Sequence, residues 1–167
     1  MKLSQILTLP ILYLTYSCAQ PNNSAIKEVE AEKTTEETST HYDSTLAKQY
    51  GADAYGMKKY VMAFLKRGPN RDRTPEEAAE LQRAHLENIG RMAEEGKLVL
   101  AGPFFGDGEI RGIYIFNVGT IAEAEALTNS DPAIKAGSLI MELKEWYGSA
   151  ALMAVNDIHK TIGKEAI

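Results

Sequence analysis

An α+β fold of the ferredoxin-like type, a split β-α-β-β-α-β, is what the sequence predicts over residues 56–148. Three observations predict it: apolar runs of strand length, two helical stretches opened by capping-box signals, and an Asp-Gly turn between the middle two strands.

The elements follow in order. "MKKYVMAFLKRG" from Met57 is a short apolar run bounded by lysines and Gly68, which reads as a strand. "PNRDR" is a loop. In "TPEEAAELQRAHLENIGRMAEEGK", Thr74 is the N-cap, Pro75 suits the first helical position, Glu77 closes a capping box and Gly96 ends the helix. "LVLAGPFF" and "IRGIYIFNV" are strands joined by "GDGE", a hairpin. Thr120 and Glu123 open a second helix. Asp131 then caps a short turn, "DPAIKAG", with Pro132 at its first position. "SLIMELKEWYG" is the last strand. Residues 149–167 read as one further helix, with Leu152, Val155, Ile158 and Ile162 along one side.

"YVMAFL" and "IYIF" are apolar at successive positions, so both faces of the sheet need cover. Two helices cover one face. The C-terminal helix is too narrow to hide a four-stranded face, so a homodimer with two sheets face to face is expected.

Bulk properties narrow the partners. The net charge of -5 leaves no basic stripe to replace counterions, so nucleic acid is not an expected partner. Residues 1–17 read as a secretion signal: Lys2, an apolar run from Leu3 to Tyr16, then Ser17. Cys18, the one cysteine, follows like the acylated residue of a bacterial lipobox, although Thr15 and Tyr16 stand where leucine and a small residue are usual. A plain secretory signal is the alternative. Residues 18–55 are polar and Glu/Thr/Ser-rich and read as a disordered tether, and the secretion signal before them makes the bacterial cell envelope the expected location. The membrane is expected as a partner through a lipid anchor only.

One residue breaks the helical pattern. Ala78, Leu81, Ile89 and Met92 share a face, and His85 falls in its middle. A histidine there serves either as a proton-transfer group in a pocket or as a structural bridge to a nearby carboxylate or carbonyl. His41 lies in the tether and His159 in the tail, without the spacing of a metal site, so no metal and no cofactor are expected. Gly102, Pro103, Phe104 and Phe105, at the end of the second strand, are candidate pocket-lining residues, with Arg111 and Trp146 as weaker ones. Arg67 and Arg73 read as solvated surface, with attraction of an anionic substrate as their alternative.

"YVMAFLKRGP", "HLENIGRMAEEGKLVLAGPF", "GIYIFNV", "AEALTNSDPAIKAG" and "LKEW" together resemble the YciI-like (YCII-related) domain, from about Tyr60 to Trp146. The resemblance implies a dimeric α/β barrel with a histidine–aspartate pair in a small pocket. Carried over, the pair is His85 and Asp131. One related activity, dehydrochlorination of a chlorinated hydroxyquinol, implies acid–base chemistry on a small phenolic molecule. The sequence-level expectation is thus a cofactor-free acid–base enzyme, lyase- or isomerase-like. The alternative is a non-catalytic dimeric module that binds a small ligand or a partner. Asp131 has a purely structural role open to it as well, since Asp before Pro is an ordinary N-cap.

Overall fold

The computed structural model describes residues 41–165. The secretion signal, Cys18 and most of the expected tether lie outside the described residues. Its last stretch is not a tether: Ser44–Tyr50 is a helix, α1, capped by the Asp43 carboxylate and closed by Gly51 in the left-handed conformation at φ 67. A local cap offsets part of the ordering entropy that composition alone leaves uncovered.

Four strands form where expected, β2 and β3 ending earlier than the sequence suggested: β1 Met57–Arg67, β2 Leu98–Pro103, β3 Ile110–Phe116 and β4 Leu139–Ser149. Their order is β2-β3-β1-β4, every neighbouring pair antiparallel, which is the ferredoxin-like arrangement. Helices α2 (Pro75–Glu94), α3 (Ile121–Thr128) and the short α4 (Pro132–Lys135) connect them. Both capping bonds of the Thr74/Glu77 box are made, fixing where α2 begins. Asp131 caps α4 by accepting from the Ala133 amide at 2.8 Å.

Strand parity divides the core. On the helix side, Val61, Ala63 and Leu65 of β1 meet Tyr114 and Phe116 of β3, with Met92 of α2 and Ala124 of α3 above them. On the other side, Tyr60, Val99 and Ile115 form a smaller cluster. The C-terminal segment covers that cluster, but not as one helix. A 3₁₀ turn, Ala150–Ala154, carries Leu152 and Met153 onto it, and α5 (Val155–Ile162) leads away with Ile158 and Ile162 exposed. The Asn156 side-chain amide ties α5 to the Leu98 carbonyl at 2.8 Å. Met62 packs at the edge of this cluster; beyond it Phe64 and Ile113 are half-buried and Ile140 is exposed, so part of the second face has no partner within the described residues.

Candidate active site

The site begins with where α2 is pinned. Asn88, buried one turn after His85, accepts from Ser130 at 3.2 Å and from Arg91 at 2.8 Å. Ser130 directly precedes Asp131, so these bonds dock the α3–α4 junction against α2. Asp131 is fully buried, and both its carboxylate oxygens lie 2.9 Å from Nδ1 of His85. Oδ1 also accepts from the Ala133 amide. Both structural readings of Asp131 therefore hold at once: it caps α4 and it orients an imidazole.

A buried carboxylate beside a ring nitrogen fixes the tautomer. Asp131 has only lone pairs to offer as a carboxylate, so Nδ1 carries the proton and Nε2 of neutral His85 is an acceptor. Nε2 lies 3.3 Å from the hydroxyl of Tyr114, which can donate to it. The two rings stack, 20° apart in plane and 6.2 Å between centroids. Burial, and after it the charge of Asp131, pushes the Tyr114 hydroxyl far above its ordinary range, so it stays a neutral phenol.

Sequence reasoning missed Tyr114. The signal was present in strand parity: "GIYIF" puts Gly112, Tyr114 and Phe116 on one face. Tyr114 lies in register between Ala63 of β1 and Ala101 of β2, two small neighbours that leave room above them. Gly112 is equally constrained, since a Cβ there would stand 2.7 Å from the Gly102 carbonyl oxygen.

Above this floor lies a pocket of about 460 Å³ between α2 and the sheet. Leu81, His85 and Ile89 form its helical wall, and Leu65, Ala101, Gly112 and Tyr114 its base. Gly102, Pro103 and Arg111, singled out from the sequence, line it, and so does Arg73. Arg71, which the sequence did not single out, lines it too.

Three expected lining residues do not. Phe104 and Phe105 follow the end of β2 and turn outward, Phe105 being fully exposed. Trp146 sits on the opposite face of the sheet, paired with Tyr60 at 5.9 Å between ring centroids. Its ring lies over Gly148, where any Cβ would collide with it. Arg67 is an exposed strand end outside the pocket. His41 and His159 are exposed.

Fold and site together define a ferredoxin-like α+β domain with a buried His–Asp pair opening into a helix–sheet pocket. The YCII-related domain model matches residues 57–147, and the chain belongs to that family. The uncharacterized protein YjpA of Bacillus subtilis (strain 168) is 31% identical over 62 residues, 37% of this chain and 71% of that protein. Among solved structures, 5-chloro-2-hydroxyhydroquinone dehydrochlorinase (TftG) from Burkholderia phenoliruptrix AC1100, in complex with 2,5-dihydroxybenzoquinone, aligns with a TM-score of 0.40 at 18% identity. That alignment covers 52% of this chain and 92% of the other.

Proposed function

We propose that this protein is a cofactor-free acid–base enzyme, lyase- or isomerase-like, acting on a small molecule with an ionisable hydroxyl or an acidic C–H, a phenolic ring among the candidates. One observation carries the reading: His85 lines an open pocket, its Nε2 3.3 Å from the Tyr114 hydroxyl of the pocket base, while a fully buried carboxylate holds its other nitrogen. In the proposed step Nε2 takes the substrate proton. The electron pair left behind moves into the substrate and either expels a leaving group such as chloride or is reprotonated elsewhere by the imidazolium. Asp131 stabilises the imidazolium in between. Tyr114, kept neutral, donates to the oxygen on which charge develops, so the substrate must displace it from Nε2.

The test is turnover on a panel of chlorinated hydroquinones and small enolisable phenols. His85→Gln and Asp131→Asn are each expected to lower kcat at least about a hundredfold, the usual contribution of a positioned base. Activity that survives both substitutions contradicts the proposal.

A second reading has its own support. Tyr114 already occupies Nε2, as it would in a static hydrogen-bonded bridge. On that reading the protein is a non-catalytic small-ligand-binding or interaction module, and His85→Gln leaves ligand affinity unchanged.

For assembly, the proposal is a homodimer through the uncovered sheet face. For location, it is the bacterial cell envelope, with a lipid on Cys18 as anchor and the residues before α1 as tether. Mass spectrometry of the mature N-terminus tests the anchor: an acylated Cys18 supports it, and an unmodified cysteine rejects it.

A further inference from the structure

We infer that the pocket selects a small organic anion, with the negative group at the Arg71/Arg111 mouth and the apolar body against Leu81, Ile89 and Leu65. The inference rests on the acid–base reading for its chemistry but is carried by a separate observation, the charge of the lining.

No aspartate or glutamate is among the lining residues, whereas three arginines are. Asp131 lies behind His85 and does not line the cavity. The guanidiniums are held in place chiefly by backbone carbonyls. Arg71 donates to Ser138 at 3.2 Å, Arg73 to Asn70 and Ala136 at 2.7 and 2.6 Å, and Arg111 to Gly106 at 2.7 Å. Carbonyl acceptors orient a guanidinium without neutralising it. Among the described residues, no carboxylate lies within ion-pairing distance of Arg71 or Arg73. Arg111 reaches only Asp107, at 4.0 Å, and that side chain is almost wholly in solvent. Asp72, Glu77 and Glu80 line a neighbouring surface recess together with Arg73, and none of the three forms an ion pair with it.

Arg73 has the larger structural share, since its short bonds to Asn70 and Ala136 tie the loop before α2 to the turn before β4, a tie that Arg71 makes only through one longer bond to Ser138. Arg71 and Arg111 are therefore the selecting pair. On a protein of net charge -5, a cationic lining that only exposed carboxylates outside the cavity offset is a local inversion of the overall field. A carboxylate or an acidic phenolate supplies the complementary charge, and the guanidinium fork matches a planar carboxylate.

Isothermal titration of the whole protein with benzoate, benzamide and 4-nitrophenol, at low and at physiological salt, tests this. Benzoate is expected to bind at least about tenfold tighter than its neutral isostere benzamide, as charge-assisted hydrogen bonds would give. Arg71→Gln with Arg111→Gln should abolish that preference. If 4-nitrophenol binds as its phenolate, its visible absorption band appears below its solution titration range, and the class then includes phenolates. If benzoate alone binds, the class is carboxylates.

Equal affinity for benzoate and benzamide, failure of benzoate to bind, or a preference that survives the double substitution each overturns the inference. These binding outcomes are independent of the turnover of His85→Gln. A pocket that prefers anions but never turns them over refutes the acid–base reading while leaving this inference standing.

Discussion

Asp131 holds the smallest unit of the account together. It is buried, bonded to His85 and used as a helix cap, so its variants should separate these roles. Asp131→Asn keeps an acceptor for Ala133 and is expected to destabilise by only about 1 kcal/mol, whereas Asp131→Ala should cost about 2–4 kcal/mol through the lost cap and the imidazole left without its partner. Urea unfolding of the two variants measures the gap; equal losses contradict the dual role. Tyr114 gives a pH prediction. Its folded-state ionisation is shifted upward from the ordinary value of 10.0, so its contribution is fully present below that value. The contribution falls as pH rises past 10.0, because only the unfolded chain then gains by ionising. Tyr60 is raised by burial too, so the wild-type loss is shared. Tyr114→Phe is expected to lose less stability on alkalinisation than the wild type, and identical pH profiles would reject the assignment. His85 itself was legible because it broke an apolar helical stripe. Its partner came through family resemblance, since nothing in the spacing of residues 46 apart brings them together. Tyr114 was legible in principle from the parity of β3 and went unread because tyrosine is also an ordinary core residue.

Punctuation made the elements readable. The Thr74/Glu77 box, Pro75 and the glycine after α2 fixed that helix in the sequence as they do in the structure, where Gly96 has φ 66. Thr74→Ala is expected to cost about 1 kcal/mol. Less legible was which face of each strand a side chain takes. "LKEW" puts Leu143 on the helix side, in register with Ala63, and an odd offset then sends Trp146 to the other face. The composition of "GPFF" suggested an aromatic lining, but the strand ends at Pro103, and although the Phe104 amide still bonds to Arg111, both phenylalanine side chains are exposed. Between β2 and β3 the chain approaches closely at Gly112. Gly112→Ala should separate the strands and destabilise by about 1–3 kcal/mol, the usual range for overpacking, with a smaller pocket as the side effect. Unaltered stability in that variant would show that the strands can give way there.

At the scale of the whole molecule, the two-sided hydrophobicity of β1 and β3 was legible, and the C-terminal segment answers it only in part. Met62, Phe64 and Ile113 remain half-buried beside the Lys66–Glu142–Lys144 ion pairs, an apolar strip with a charged edge. A second copy of the chain is expected to cover it. Light scattering should give a dimer mass, and Phe64→Glu should shift the mass to that of a monomer; a wild-type monomer at micromolar concentration rejects the proposed assembly. None of these readings matters for catalysis unless His85 can accept a proton on its pocket side. Nitrogen-15 NMR of the neutral His85 imidazole reads this directly, without a substrate. A protonated Nδ1 and a bare Nε2 are expected, with the preference lost in Asp131→Asn. A hydrogen on Nε2 in the wild-type protein would leave no lone pair facing the pocket and would contradict the account at its centre.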